Sequence, residues 1–290
     1  MAERRFRPSR ALPDEWYLRL VYWRNYRRLL NLKNPRAYTA KLQWLKLYGE
    51  LERYDPYVDK YEVRQHVAET VGEQYLIPLI GVWDSFDEIP FDQFPQQFVL
   101  KATHGWSYNY ICRDKSTLDL RRLRQTTTQW MTTNFYSANR EPQYRNVRPR
   151  LMAETYLEDD SGALRDFKFL CFGGEPRILE IMTDRESGLR INFYDRQWNL
   201  LPVEDVDHPN TPEPIARPAA LDEMFGVAAK LASGFEHVRV DLYNVGGSIY
   251  FSELTFTPGN GFISFNPKSF DEELGCMLDL TRYTAPSLRN

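Results

Sequence analysis

Residues 237–261, HVRVDLYNVGGSIYFSELTFTPGNG, constrain this chain more than any other stretch. Side chains on a strand alternate between two faces. Val238, Val240 and Leu242 therefore face one way, and Arg239, Asp241 and Tyr243 the other. Beyond Gly246-Gly247 the alternation resumes, with Glu253, Thr255 and Thr257 on one face and Leu254 and Phe256 on the other. Two such runs joined by glycines read as an antiparallel hairpin. Register decides whether its two acids meet. A two-residue loop at Gly246-Gly247 pairs Asp241 with Ser252 and sends Glu253 to the opposite face. A three-residue loop, Gly246-Gly247-Ser248, pairs Asp241 with Glu253, with Cβ atoms roughly 5 Å apart. The carboxylates then have the spacing to share Mg²⁺, a hard cation that takes oxygen ligands. An odd loop or a bulge thus makes a metal and anion site. An even, unbulged hairpin makes a solvated amphipathic sheet.

A chain of 290 residues is long enough for one compound domain or two to three subdomains. Its formal net charge of −3 gives no global basic field, so nucleic acid is not an expected partner. The charge is uneven, however. Arg4, Arg5, Arg7, Arg10, Arg19, Arg24, Arg27 and Arg28 crowd the start, against Glu3, Asp14 and Glu15. No apolar run is long enough for a transmembrane helix or a signal-peptide core. Cys112, Cys171 and Cys276 are dispersed and odd in number, which suits reduced thiols in the cytoplasm. Four scattered histidines argue against a His-based zinc site.

In chain order, 1–12 reads as flexible, and Asp14 caps a helix over 15–30 with Trp16, Leu20, Trp23 and Arg27 along one stripe. That helix either packs on the body with its arginines exposed or attaches to an anionic membrane surface or acidic polymer. Helices follow over 39–48 and 56–70, the second with Lys60 and Arg64 four apart on one face. Strands are expected over 76–79, 97–101 and 108–112. Between the last two, Ala102-Thr103-His104-Gly105-Trp106-Ser107 follows Lys101, a reasonable cover for phosphates. A long helix is expected over 118–135. The apolar run 151–157 carries Glu154, a charge that needs a partner or an edge. Asp166 and Lys168 share one side of the next strand, 158–162 is a turn, and 189–195 carries Arg190, Asn192 and Tyr194. The proline-rich 202–218 is a surface loop, 221–233 a helix, and the tail after Gly275 irregular. The reading is α+β with antiparallel hairpins. It lacks a Walker loop, a Rossmann glycine fingerprint, a nucleophile elbow and a kinase loop set.

In this order and spacing, NPRAYTAKLQWLKLY, DKYEVRQHV, LIPLIGVWDSFDEI, FVLKATHG, RPRLMAETYLED, DFKFLCFGGEP, RINFYDRQWNLLP and VRVDLYNVGGSIYFSELTFTPGNGF resemble the TupA-like ATP-grasp proteins, named for teichuronopeptide synthesis and found in polysaccharide gene clusters. The resemblance runs over about 34–275. It implies an α+β ATP-grasp fold with ATP between two α+β subdomains. Residues 1–75 would be a helical region, 76–150 a central subdomain, 151–275 a C-terminal subdomain and 276–290 a tail. It implies that Lys101 and Lys60 neutralise the phosphates and that His104, Gly105 and Ser107 close over them. Glu154, Thr155, Tyr156 and Leu157 would read adenine, with Asp166 and Lys168 facing the cleft. Asp241, Glu253 and Thr255 would hold two Mg²⁺ beside Arg239. Arg185, Arg190, Asn192 and Arg239 would hold the acceptor carboxylate or an acyl phosphate. The implied activity is ATP-dependent carboxylate–amine ligation on a uronic acid of a surface polysaccharide or its precursor, with an amino acid or amino-sugar as the amine. A kinase or glycosyltransferase acting on a carbohydrate hydroxyl, or a non-catalytic ATP-binding partner, are the rival readings. The site would be cytoplasmic, at the inner face of the membrane if the basic start attaches there. Two residues depart from the family pattern. Thr255 stands where many ATP-grasp enzymes have Asn, and Trp106 where the phosphate loop has a second small residue.

Overall fold

The computed structural model describes residues 12–159, 164–184 and 188–283. The expected turn at 158–162 lies largely outside them, as do Arg185 and, of the basic start, Arg4, Arg5, Arg7 and Arg10. The chain begins with α1 (Asp14–Tyr26) and α2 (Tyr38–Tyr48). Tyr17, Leu18, Val21 and Tyr22 bury one side of α1. Trp16, Leu20 and Trp23 do line up, but they face outward. Among the described residues no helix is long and apolar enough to cross a membrane.

The helix expected over 56–70 is broken into α3 (Asp55–Val58) and α4 (Val63–Thr70). The cause is Asp59. Its buried carboxylate accepts from the Tyr61 and Glu62 backbone N–H groups at 2.8 and 3.1 Å, which closes a tight turn before α4 starts. Lys60 therefore sits in a turn rather than on the helix face it was expected to share with Arg64.

Two antiparallel sheets follow. The first has the order β1-β4-β2-β3, from β1 (Leu79–Trp83), β2 (Phe98–Ala102), β3 (Asn109–Cys112) and β4 (Leu151–Thr155). Between β3 and β4 run α5 (Leu120–Met131) and α6 (Phe135–Asn139) in place of one long helix. Leu123 and Trp130 of α5 pack with Phe98, Leu100 and Ala153 in a core of their own. Because β4 pairs with both β1 and β2, this sheet crosses the division expected at 150/151.

The second sheet has the order β10-β9-β5-β6-β7, from β5 (Asp166–Phe172), β6 (Glu175–Thr183), β7 (Arg190–Tyr194), β9 (His237–Val245) and β10 (Ser248–Thr255). A short β8 (Glu204–Asp205) lies in the proline-rich loop and pairs with β11 (Phe265–Asn266). One face of the large sheet is covered by α7 (Leu221–Ala232), whose Phe225 meets Phe169 edge-on at 4.9 Å. The N-terminal helices share this larger core rather than forming one alone. The segment leading into the tail is helical. Helix α8 (Ser269–Met277) packs on α2, and a Cβ on Gly275 would lie 1.9 Å from the Arg36 carbonyl oxygen. Asp271 of α8 accepts from the Thr39 backbone N–H and hydroxyl at 2.9 and 2.8 Å, satisfying the uncapped start of α2.

Candidate nucleotide and metal site

The hairpin has an even loop and a bulge. Val245 pairs with Ser248 across Gly246-Gly247, whose φ angles of 58° and 88° suit a two-residue turn. Pairing continues to Leu242 opposite Phe251 and then shifts, so that Glu253 rather than Ser252 stands opposite Asp241. Ser252 is the extra residue. The bulge turns Glu253 onto the same face as Asp241, and Thr255 pairs with Arg239 beside them.

That face carries a dense ionic network. Cross-strand pairing sets Glu253, Asp241, Lys168 and Glu180 in one row across β10, β9, β5 and β6. Asp241 has no exposed surface. It accepts from Arg239 Nε and Nη2 at 2.7 Å each and from Lys168 Nζ. Glu253 Oε2 accepts from Lys60 Nζ at 2.9 Å, while Oε1 meets Arg239 Nη2 at 3.3 Å and the Thr255 hydroxyl at 3.2 Å. Burial pushes the Glu253 carboxyl up, but Lys60, Lys168 and Arg239 outweigh it and hold it far below the usual carboxylate range. Burial raises Glu180, and Arg239 and Lys168 offset only part of that. Burial likewise works against the Arg239 charge, yet Asp241 and Glu180 bind its proton more firmly than in an ordinary arginine.

The four-stranded sheet contributes a second cluster. Lys101 Nζ donates to Glu154 Oε2 at 2.6 Å, and Arg64 Nη1 to Glu154 Oε1 at 2.9 Å. Arg64 Nη2 also holds the Ile77 carbonyl at 2.9 Å. A cleft of about 880 Å³ opens between the two sheets. Lys101, Glu154, Thr155, Tyr156, Leu157 and Asp166 all line it, with Ile77, Val99, Ile111, Tyr243 and the segment 213–216 as further walls. This volume and mixture of apolar walls and convergent charges suit a nucleotide-sized ligand. The Glu154 carboxylate, expected to read adenine, is occupied by its two cations.

Several expected residues lie elsewhere. Lys60 is on the metal-hairpin side, against Glu253, and does not line the cleft. His104 is buried, donates from Nε2 to the Trp130 carbonyl at 3.0 Å, and is pushed down in pKa by that burial. It packs under the loop rather than over phosphates. Gly105 is needed for packing, since a Cβ there would sit 2.6 Å from the Phe135 ring. Ser107 takes a left-handed φ of 62°, and Trp106 donates from its indole to Glu141 Oε2 at 3.1 Å. Arg190 and Asn192 are not with the ionic network. Asn192 pairs with Ile181, which pairs with Phe167, which pairs with Leu242, all on the α7 side of the sheet. Its Oδ1 accepts from the Thr211 N–H at 3.0 Å, and Arg190 donates to the Asn210 carbonyl at 2.8 Å. They therefore anchor the loop that forms one cleft wall, and Arg185 lies outside the described residues. Asn260 does not reach the hairpin acids; Lys46 Nζ holds its carbonyl at 2.6 Å and its side chain as well.

Arg64, Glu180 and Asp59 were not singled out from the sequence as site residues. The signal for Glu180 was its alternation with Leu179 and Ile181, which needed the register to become specific. Asp59 is tied to Arg150 Nη2 at 2.9 Å and to the Thr103 hydroxyl at 3.2 Å, fastening the turn at Lys60 to the loop after Lys101.

Mg²⁺ can be tested against the donors present. Asp241, Glu253 and Thr255 offer only oxygen, the set a hard cation takes. Among the described residues no group of three or more His, Cys, Asp or Glu side chains is placed to hold a metal. Two carboxylates and a hydroxyl fit a metal that also draws ligands from its phosphate partner, provided Arg239 and Lys168 turn from Asp241.

Two facing antiparallel sheets, a cleft lysine and paired carboxylates on adjacent strands define an α+β protein of the ATP-grasp class. The chain belongs to the TupA-like ATPgrasp family, whose model matches residues 40–279. Solved structures similar to it include the D-alanine–D-alanine ligase of Bacillus anthracis, at 18% identity, TM-score 0.41, covering 69% of this chain and 57% of that one. The D-alanine–D-alanine ligase of Helicobacter pylori stands at 13% identity and TM-score 0.37, covering 77% and 61%. The N5-carboxyaminoimidazole ribonucleotide synthetase of Thermus thermophilus stands at 12% and 0.39, covering 75% and 47%. The chain thus spans about half to three-fifths of the length of these enzymes. No curated protein matches it.

Proposed function

We propose that the protein is an ADP-forming carboxylate–amine ligase. The observation that carries this reading is the cleft with Lys101 and Asp166 on its walls beside the Lys168–Asp241–Arg239–Glu253 network. ATP lies in the cleft, its base against Ile77, Val99, Ile111 and the backbone of 155–157, and its phosphates towards Lys101 and Lys168. Asp241, Glu253 and Thr255 would hold Mg²⁺, which would supply Lewis-acid stabilisation of the phosphate charge. An acceptor carboxylate oxygen attacks the γ-phosphorus, and the bond to the β-γ bridging oxygen breaks to release ADP. An amine then attacks the acyl carbon, loses a proton and expels phosphate, leaving an amide. Arg239 contacts both hairpin acids at once and is suited to the acyl phosphate as it forms. Positioning and fixed charge supply most of the rate gain.

The acid is a uronic acid of a surface polysaccharide or its precursor, and the amine an amino acid or amino-sugar. The family's association with teichuronopeptide and polysaccharide genes supports this part. An ADP-release screen over uronic-acid glycans and amines tests it, with Lys101→Ala and Asp241→Asn as controls. A ligase releases ADP only with acid and amine together, and hydroxylamine traps its acyl phosphate as a hydroxamate. Phosphate left on the acceptor would identify a kinase. Mg-ATP binding without turnover on any acceptor would leave a non-catalytic partner.

A further inference from the structure

Helix α1 presents its most apolar side chains to solvent. Trp16 is 66% exposed, Trp23 44%, Leu20 36%, and Leu29 just beyond the helix 85%. Positions 16, 20 and 23 fall on one side of a helix, opposite the buried Tyr17, Leu18, Val21 and Tyr22. The segment that carries these side chains has charges of one sign. From Trp16 to Gly49 the sequence contains no Asp or Glu. Arg24, Arg27, Arg28, Lys33 and Arg36 are all exposed there, and the Arg27 guanidinium lies 5.2 Å from the centre of the Trp23 ring. With a net charge of −3 over the whole chain, this basic surface is a local concentration. Arg19 is engaged differently. It pairs with Glu15 at 2.8 Å and donates to the Leu30 carbonyl at 2.9 Å, fixing the helix to the segment that follows.

Two indoles and a leucine on a convex helix, ringed by arginines, match the chemistry of a headgroup boundary. Indole rings settle where apolar chains meet polar heads, and guanidinium groups take lipid phosphates. A soluble acidic polymer would satisfy the arginines and leave the indoles in water. A second copy meeting this face symmetrically would set arginines against arginines. We infer that α1 docks the protein on an anionic lipid surface, with Trp16, Leu20 and Trp23 entering the headgroup boundary and Arg24, Arg27 and Arg28 on the phosphates. This surface is separate from the cleft and does not depend on the ligase reading.

The test is co-sedimentation of the full chain with phosphatidylcholine vesicles, with and without an equal part of phosphatidylglycerol. Binding is expected on the mixed vesicles and lost at high salt. Each arginine is expected to contribute about fivefold to the partition coefficient, so Arg24→Ala/Arg28→Ala lowers it by about 25-fold. Trp16→Ser/Trp23→Ser is expected to lower it at least tenfold, with both variants melting as the wild type does. In the unmutated protein, brominated lipid should quench tryptophan emission, a readout free of any folding defect. Failure to bind, equal binding to neutral vesicles, no quenching, or a tryptophan variant that binds like the wild type would overturn the inference. So would a dimer that dissociates on the tryptophan substitutions, which would give this face to a second copy.

Discussion

Asp241→Asn separates what the ionic network does for stability from what it does for ligand binding. The substitution keeps the shape and removes one charge from a fully buried side chain. Arg239 then loses both of its 2.7 Å bonds to a carboxylate, and Lys168 loses its ionic partner on β9. Both cations are themselves buried, at 8% and 4% exposure. Breaking a buried pair costs roughly 3–5 kcal/mol. Glu180, Glu253 and Asp166 remain nearby to recover part of it, so the expected loss is about 3 kcal/mol. At roughly 2–4 °C per kcal/mol for a chain of this size, the melting point should fall by about 6–12 °C. Thermal unfolding without nucleotide measures this. Repeating it with ligand measures the second role. A ligand at about a hundred times its Kd stabilises by roughly 2.7 kcal/mol. Under the ligase reading, wild-type stabilisation by ATP grows when Mg²⁺ is added, and that increment disappears in Asp241→Asn. A variant that melts within about 2 °C of the wild type would refute the energetic argument. A variant that keeps the full Mg²⁺ increment would remove Asp241 from the metal site.

Chelating Mg²⁺ should weaken ATP binding at least tenfold in calorimetry, and equal affinity with and without the metal would count against metal ligation at the hairpin. Glu154→Gln should cost about 3 kcal/mol in urea unfolding, because Arg64 and Lys101 lose their shared counter-ion. It should nevertheless leave the Kd for ATP within about threefold, roughly 0.6 kcal/mol, whereas a tenfold loss would return the carboxylate to adenine recognition. Burial holds the His237 imidazole down to about 4 from its ordinary 6.5, where its Nδ1–H donates to the Cys171 carbonyl and Nε2 accepts from Tyr38. Between those values the unfolded chain binds a proton that the folded chain refuses. Stability is therefore full above the ordinary value and falls by roughly 3 kcal/mol as pH drops through the window. His237→Gln should flatten that fall in urea titrations on either side of it, and an unchanged slope would refute the assignment.

The polar alternation at Arg239, Asp241 and Glu253 was legible because a strand's period is two and the glycine turn is explicit. What resolved the open register was Ser252. A bulge is one unpaired residue, and no residue type at that position announces it. Lys101 and Glu154 were legible as charges inside apolar strands, which demand partners. Their mutual pairing was not, since it needs β4 to leave its sequence neighbours and join β2. Lys60 was misplaced on a helix because DKYEV has helical composition, while the buried Asp59 spends its carboxylate on two backbone N–H groups and stops the helix there. Arg190 and Asn192 were assigned to the site on resemblance. Strand parity settles their side of the sheet, but only once β7 is paired with β6. Helix α8 was missed because its reason is tertiary: Gly275 lets it approach α2, and Asp271 supplies the cap that α2 lacks.

The charges around the cleft and hairpin balance. Lys60, Arg64, Lys101, Lys168 and Arg239 stand against Glu154, Asp166, Glu180, Asp241 and Glu253, five bases to five acids. Glu154, Asp166 and Asp241 are nearly sealed from water, so none of them can give up its cation without another positive charge taking its place. A triphosphate entering alone would draw the lysines away and strand the carboxylates. Under the ligase reading, a triphosphate entering with divalent cations would exchange partners instead: lysines would turn to phosphate, and Asp241 and Glu253 would hold the metals. On this reading Mg²⁺ is required for binding as well as for chemistry. The lysines should then differ in kind. Removing Lys101 leaves Glu154 still held by Arg64, so Lys101→Ala should stay folded and fail at ATP. Removing Lys60 takes the closest cation from Glu253, so Lys60→Ala should weaken the fold and the metal site together.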